Sequence, residues 1–565
     1  MEPAPWHRHY DAGVPTTLAP YPEKTLLDYL ADGVRRAPDA PAVLFQGTRM
    51  SRAELDRLSD RFAAALAGLG IKHGDRVGLL LPNCPQFLIA ELGAWKAGAT
   101  VVPLNPIYTE PELERALVRT GCVVVVVLTM FHARLKAVQP RTAVRTVIAT
   151  SIAEFLPPLL RLAFRLFLEK KGGHRAQLHE GDLAFASVLR TEARRPAEPA
   201  RPDDTALILM SGGTTGTPKG VACTHRGLVT TGVQATAWIR PVVGERQASM
   251  ALPLPLFHAA GGILGQATCL VGGHTLVLIP NPRDLKDLLR TIRRTRPTFL
   301  AGVPTLYNAI LNRPEVVGGK IDLRSIELCV CGAAPLPAET KRRFEAVTGG
   351  RLVQAYSLTE ALIAPIMQPV RGPTKEGAVG VPGPDVELCV RDAEKGETPL
   401  PAGTVGEITL RAPQIMTAYW EDPAETAIAL RAHGPGAPWL HTGDLGYVDE
   451  DGFLFLVDRL KDLIKSGGFQ VWPWEIEEVL ASHPAVAEVG VAGVPDAARG
   501  EVPKAWIVLR QGAECSVEEI RAFCRERLAP YKIPADVAFR QELPKSVIGK
   551  VLRRVLRQEH TAVAS

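Results

Sequence analysis

Residues Leu207 to Val221 read LILMSGGTTGTPKGV, and their types point to phosphate chemistry. An apolar run suited to a strand leads into Gly212, Gly213 and Gly216, which let backbone approach an anion closely. Ser211, Thr214 and Thr215 supply hydroxyl donors, and Lys219 adds positive charge. The string is not a Walker A loop, because Lys219 stands between Pro218 and Gly220, with no hydroxyl residue after it. A plain surface turn is the competing reading, but generic turns rarely gather so many glycines and hydroxyls behind a strand.

Three further clusters are weaker alone. Tyr356-Ser357-Leu358-Thr359-Glu360 offers an aromatic face for a base, hydroxyls for a phosphate and a carboxylate for Mg²⁺. Thr442-Gly443-Asp444 sets a carboxylate beside a glycine, suited to accepting hydrogen bonds from a ribose diol. Lys545-Ser546-Val547-Ile548-Gly549-Lys550 holds two lysines around a turn. Short motifs of this kind are more often structural than chemical.

The elements that must carry these residues are legible as alternation. Arg76 to Leu81, Thr100 to Leu104 and the valine run from Val123 read as strands, separated by helical periods near Gln86 to Ala97 and Glu110 to Thr120. Strands spaced by helices predict α/β architecture with parallel sheets, and the valine run reads as a buried parallel strand. From about Gly403 the texture changes to short strands, with Asp451-Gly452 marking a hairpin turn. Beyond Asp458 to Lys461 lies an appendage of about a hundred residues, a typical small-domain size. Pro473 there is placed to open a helix, and Ser516 and Glu519 stand at capping-box spacing before another.

The 565 residues carry 46% hydrophobic and 22% charged side chains, enough apolar mass for packed cores and too much for wholesale disorder. The net charge of +5 is scattered, which speaks against nucleic-acid binding. Nine cysteines without zinc spacing suit a reducing cytoplasm, and the N-terminal stretch lacks the basic start and apolar run of an export signal. Phe155 to Lys171 stands apart. Its Leu159, Leu160, Ala163, Phe164, Phe167 and Leu168 are expected to share a helical face, with Arg161, Arg165, Lys170 and Lys171 supplying charge. Such a helix suits an anionic membrane surface, although amphipathic helices more commonly pack on their own protein.

The joint occurrence of the motifs in this order resembles the adenylate-forming, AMP-binding superfamily of acyl-CoA synthetases, luciferases and peptide-synthetase adenylation domains. The likeness runs from Trp95-Lys96-Ala97-Gly98 to Lys550. Ala12-Gly13-Val14-Pro15, the segment from Phe155 to Lys171 and the string from Ser466 to Glu477 look most like bacterial long-chain fatty-acid CoA ligases. The resemblance implies a large N-terminal domain of parallel and mixed sheets with a small β-barrel-like subdomain (1–457), a hinge (458–461) and a small mobile α+β domain (462–565). It also implies the reaction: a fatty acid of medium or long chain takes AMP from ATP, and the thiol of coenzyme A then displaces AMP.

By the family pattern, Ser211 to Gly220 hold the pyrophosphate end, including Ser211, Gly212, Gly213, Thr214, Thr215, Gly216 and Lys219. Thr359 serves the α-phosphate and Glu360 the Mg²⁺, while Gly332, Ala333, Ala334 and Tyr356 enclose adenine. Asp444 binds ribose with Arg459 nearby, and Lys461 is the hinge. Lys550 meets the charge developing at the α-phosphate, where a preorganised donor contributes about 10² to 10³ in rate. The loop from Ser466 to Gln470, with Gly468, faces the pantetheine channel, and His258 and Gly302 lie near the acyl site. Without the family, the charges around Lys461 are a solvated run and His258 is as readily a structural histidine.

Three positions depart from the pattern, since Ser357, Ala412 and Ala418 stand where glycines are usual. The alternative enzyme is a free-standing aryl- or fatty-acid adenylating protein that loads a carrier protein, and a nucleotide binder without turnover is a third reading. A peripheral membrane contact through 155–171 and a homodimer are both compatible with the resemblance.

Overall fold

The computed structural model describes residues 4–169, 173–174, 177–192, 200–211, 218–467, 469–496, 498–545 and 551–564. Packing divides the chain into two compact units, Met1–Glu387 with Leu410–Leu440, and Leu388–Thr409 with His441–Ser565.

The first unit is built on two large sheets. In one, strands Thr205–Ser211, Thr100–Pro103, Arg76–Leu80, Val124–Leu128, Thr146–Thr150 and Leu183–Ala184 lie parallel in that order. The valine run is central and wholly buried, as a strand covered on both faces must be. Helices Pro85–Lys96 and Glu110–Thr120 form where the helical periods predicted them. Glu110–Thr120 begins in a capping box between Thr109 and Glu112 and ends on Gly121 in the left-handed conformation, so both termini are satisfied.

The second sheet places Arg351–Tyr356, Leu328–Cys331, Phe299–Gly302, Ser249–Leu252, Thr275–Leu278 and Pro41–Phe45 in parallel order. Its core includes Leu288, Ile292, Leu300, Tyr307, Ile310 and Phe344. The N-terminal hairpin of Pro41–Phe45 and Thr48–Ser51 therefore belongs to a sheet whose other parallel strands lie some two hundred residues later.

In the second unit the Asp451-Gly452 turn joins the strand ending at Val448 to Leu454–Arg459, with Tyr447 stacked on Phe455 across the pair at 4.8 Å. Strands Val486–Asp496, Gly500–Leu509 and Asp536–Arg540 carry a core of Ile464, Ile476, Leu480, Val491, Ile507 and Ile520. Pro473 opens the helix Pro473–Ala481, and the Ser516–Glu519 capping box starts Val517–Arg525, which ends before Pro530 is reached.

The segment singled out at 155–171 is α-helical over Pro158–Ala163 and then a π turn over Phe164–Leu168. The six side chains expected on one face divide by exposure. Ala163 and Phe164 are half-buried, while Leu162 and Leu166 join Leu159, Leu160, Phe167 and Leu168 in being exposed. No helix among the described residues is long and apolar enough to cross a membrane.

Candidate active site

Adjacent parallel strands put their carboxyl ends side by side, and the loops leaving those ends line one edge of the sheet. Gly302 pairs with Cys331, and Cys331 with Gln354, so the turns at Gly302, Gly332 and Tyr356 are neighbours. The Gly332 N–H donates to the Gly302 carbonyl at 3.3 Å. Ala333 holds φ +69°, a left-handed conformation that strains a residue bearing a Cβ. The turn after Glu360 is strained as well, with Leu362 at φ +45° and Ile363 at φ +57°. Helix His225–Val243 pins that turn: the Thr231 hydroxyl donates to the Leu362 carbonyl at 2.7 Å. Gly227 leaves room for the Leu362 side chain, since a Cβ there would lie 2.5 Å from it.

The phosphate-motif strands form a hairpin with Ser211 opposite Lys219. The loop residues Gly212, Gly213, Thr214, Thr215 and Gly216 lie outside the described residues, as do Gly468 and Lys550. Lys219 is almost buried. Its ammonium contacts the Glu425 carboxylate at 2.5 Å and sits 4.8 Å above the Tyr419 ring. The Tyr419 hydroxyl in turn donates to Glu360 Oε1 at 3.0 Å. Burial, with Glu360 beside it, pushes that phenol's pKa up, so it remains a donor. Backbone bonds fix the arrangement: Tyr419 pairs with Val221, Trp420 N–H donates to the Gly220 carbonyl at 2.6 Å, and Met416 N–H to the Glu360 carbonyl at 2.9 Å. The structure thus brings Lys219 and Glu360, 141 positions apart in the sequence, onto one tyrosine.

Tyr419 and Glu425 were not singled out from the sequence. The sequence signal for Tyr419 is only the Ala418-Tyr419-Trp420 string, and nothing in the sequence marks Glu425. Neither Ala412, Ala418 nor Ser357 takes a positive φ, so the replaced glycines bring no backbone strain. The Ser357 hydroxyl oxygen is buried and has no hydrogen-bond partner.

His258 lies beyond strand Ser249–Leu252. Its Nδ1 accepts from the Ala260 N–H at 3.3 Å, and burial pushes its pKa down, leaving a neutral ring with its proton on Nε2. The loop before it is held by Asn83, a second residue the sequence did not reveal. The Asn83 amide donates to the carbonyls of Leu252 and Leu254 at 3.0 and 2.9 Å, and its oxygen accepts from the Leu256 N–H at 2.8 Å.

In the second unit, Asp444 is buried and ion-paired with Arg459 at 2.8 Å. The strand carrying it is anchored by the Thr442 hydroxyl, which donates to the Ile408 carbonyl, and by Glu407, which accepts from Gly443 N–H and meets His441 at 2.8 Å. Lys461 falls in the short turn Leu460–Asp462.

Two family descriptions match this chain: AMP-binding enzyme over residues 30–420 and AMP-binding enzyme C-terminal domain over 475–550. A long-chain-fatty-acid–CoA ligase of Bacillus subtilis (strain 168) is 38% identical over 564 residues, covering 99% of this chain and 98% of that protein. One of the same description from Yersinia pestis is 36% identical, covering 99% of both. Among solved structures, ATP-bound MatB from Rhodopseudomonas palustris superposes with a TM-score of 0.81 at 28% identity, covering 95% of this chain and 100% of that one. The Mycobacterium tuberculosis fatty acyl CoA synthetase gives 0.69 at 29%, covering 95% and 99%. With matches of this extent at both ends, the chain belongs to the AMP-binding enzyme family.

Proposed function

We infer that this protein is an ATP-dependent acid–thiol ligase that joins medium- or long-chain fatty acids to coenzyme A through an acyl adenylate. The observation that carries the reading is the meeting of Lys219 and Glu360 at Tyr419, beside the turns at Gly332 and Tyr356. A cation and a carboxylate held at the open ends of strands suit a magnesium nucleotide, and the near-full-length relatives are fatty-acid ligases.

A carboxylate is a poor electrophile, so its oxygen must first attack the α-phosphorus of ATP and expel pyrophosphate. We assign Ser211, the loop from Gly212 to Gly216 and Lys219 to the departing phosphates, and Thr359 to the α-phosphate. Lys550 is assigned to the charge that grows between α-phosphate and acyl carboxylate. Ala333, Ala334 and Tyr356 would flank the adenine, and Asp444 with Arg459 the ribose. His258 and Gly302 belong to the acyl end.

Glu360 has one oxygen on Tyr419 and is half-buried, and no cluster of three metal-binding side chains exists among the described residues. That donor set fits Mg²⁺ held by one carboxylate together with substrate phosphates, the usual mode for this ion. When bound, the ion would neutralise phosphate charge.

The second step forms the S–C bond of the thioester and breaks the acyl–phosphate bond, releasing AMP. We assign Lys461 as a hinge between domains 1–457 and 462–565, serving both steps, with Gly468 near the incoming thiol. The nine free cysteines suit the cytoplasm, and long-chain acids reside in bilayers, so we place the enzyme in the cytoplasm at membrane surfaces.

The test is acid-dependent exchange of labelled pyrophosphate into ATP, followed by AMP and thioester counted across acids from acetate to oleate and aryl acids. Oleate with coenzyme A is expected to give one thioester per AMP. Absence of acid-dependent exchange by folded protein overturns the reading, and turnover only with a carrier protein would move it to the carrier-loading alternative. Lys550→Ala is expected to suppress adenylate formation far more than thioester formation from supplied acyl-AMP.

A further inference from the structure

Glu407 and His441 form a buried pair in the second unit to which the steps above give no task. Their side chains are 7% and 3% exposed, and Glu407 Oε2 lies 2.8 Å from His441 Nδ1. A carboxylate oxygen accepts, so the ring donates from Nδ1. Taking a carboxylate out of water is costly, and a buried pair of this kind adds little to stability that apolar side chains of similar size would not. The second oxygen supplies a different reason for it: Glu407 Oε1 accepts the Gly443 N–H at 3.1 Å.

Gly443 is where that contact decides geometry. Its φ is +67°, in the left-handed region, and a Cβ there would meet none of the described atoms within 4 Å. A glycine moves between the two hands of φ at little cost, so the direction of this turn has to come from its polar groups. Glu407 takes the Gly443 N–H, and the carbonyl of the next residue, Ile408, takes the Thr442 hydroxyl at 2.7 Å. Thr442 Oγ1 in turn accepts from the Asp444 N–H at 3.1 Å. Both peptides that lead into Asp444 are gripped in this way, and the aspartate, 6% exposed, meets Arg459 at 2.8 Å.

Glu407 is itself held. The turn from Asp392 to Thr398 closes over the pair, its shape fixed by the Asp392 carboxylate, which accepts the N–H groups of Lys395, Gly396, Glu397 and Thr398 at 2.8, 3.3, 2.9 and 2.7 Å. A Cβ on Gly396 would lie 2.8 Å from His441 Cε1 and 3.1 Å from Glu407 Oε2, so little room remains for the ring or the carboxylate to turn. We propose that Glu407, oriented by His441, is the positioning residue that aims Asp444 at the ribose hydroxyls of the nucleotide. The proposal rests on the assignment of Asp444 to the ribose above.

The experiment measures kcat/KM for pyrophosphate release, with the acid that the wild type uses best, from ATP and from 2′,3′-dideoxyATP. Wild type is compared with Asp444→Ala, Glu407→Ala and Glu407→Gln. The ratio of the two values does not depend on how much of a preparation is folded, so a variant that only folds poorly leaves it unchanged. Wild type is expected to prefer ATP by at least about tenfold, the worth of one hydrogen bond to a charged group, and Asp444→Ala to show no preference. Glu407→Ala should reduce the preference to about threefold or less and raise the KM for ATP, with the KM for the acid unchanged. Glu407→Gln keeps an oxygen for the Gly443 N–H, and its amide can donate to His441 in the other tautomer, so most of the preference should return. Preference lost in Asp444→Ala but intact in Glu407→Ala overturns the positioning role alone. A wild type indifferent to the two hydroxyls, or an Asp444→Ala variant that keeps the preference, overturns the ribose assignment and the proposal with it.

Discussion

The phenolic hydroxyl of Tyr419 donates to Glu360 at 3.0 Å, while the ring of the same tyrosine lies 4.8 Å below the ammonium of Lys219. One side chain thus holds the assigned metal carboxylate and the assigned phosphate cation in fixed relation. Replacing Tyr419 by Phe keeps the ring under Lys219 and deletes only the hydrogen bond. A hydrogen bond to a charged group is worth about 1.5–3 kcal/mol when both partners are sheltered. Since Glu360 is only half-buried, the lower end applies, and kcat/KM for adenylation is expected to fall about tenfold with a higher Mg²⁺ requirement. Pyrophosphate release measured across Mg²⁺ concentrations checks it, and an unchanged profile would show that Glu360 needs no such support.

Glu425 occupies the Lys219 ammonium at 2.5 Å, where an incoming phosphate would have to compete. The helix Pro423–Ala429 that carries it is fixed by Asp422, whose side chain caps the N-terminus and pairs with Arg119 at 2.7 Å; that arginine holds the Asp422 pKa below its ordinary value. Glu425→Gln removes the competing charge without moving the helix. The KM for ATP is expected to drop about threefold to fivefold, equivalent to about 1 kcal/mol, whereas Lys219→Met should raise it more than tenfold. Initial rates at varied ATP decide the sign.

How far the sequence went follows from the distance over which each signal acts. The Asp451-Gly452 turn, the Ser516–Glu519 box and the buried valine strand are written in consecutive residues, and local physics suffices to read them. The network around Lys219 is not, because Lys219 and Glu425 stand 206 positions apart and only strand pairing unites them. The same holds for Asn83, which bonds to Leu252 and Leu256 across 169 and 173 positions. Sheet order was hidden for a related reason: Val43 pairs with Leu276, and no periodicity near either reveals the other. Along Pro158–Leu168 the exposure of Leu162 and Leu166, beside Leu159, Leu160, Phe167 and Leu168, depends on what packs against the segment, which composition does not show.

A buried acid outside the site gives a pH dependence of stability. Glu91 is buried on helix Pro85–Lys96, and the Gln266 amide donates to it at 2.5 Å. Burial pushes its pKa up from the ordinary 4.5 to about 8, with the Gln266 hydrogen bond pulling the other way. The native state therefore keeps the proton across a range in which the unfolded chain releases it. Between about pH 4.5 and about pH 8 stability must fall as pH rises, and above that window the loss from this group is complete. The slope per proton is at most about 1.4 kcal/mol per pH unit. Glu91→Gln removes it, so the variant should match wild type near pH 5 and exceed it near pH 8. Denaturant unfolding at the two pH values is the check, and a variant less stable at both would show that Glu91 is ionised in the fold.

Arg553, three positions after Lys550, binds three carboxylates within the second unit: Asp458 at 2.5 Å, Asp462 at 3.3 Å and Glu477 at 2.6 Å. These acids raise its pKa against the opposing effect of burial. Asp458 and Asp462 stand on either side of Lys461, and Asp458, almost wholly buried, also accepts from the Trp474 N–H at 3.1 Å. One guanidinium thus ties the start of the C-terminal helix to both sides of the assigned hinge. Removing it leaves a buried carboxylate without its counter-charge, a change that costs about 3–5 kcal/mol at a buried pair. Arg553→Leu is expected to lower the unfolding temperature of this unit by roughly 6–20 °C, at the usual 2–4 °C per kcal/mol for this size. Arg553→Lys keeps the charge but loses the fork that spans Asp458 and Glu477, and should recover only part of the loss. Calorimetry of the full chain distinguishes the two variants, and equal destabilisation by Lys and Leu would mean that geometry, rather than charge, is what the three acids require.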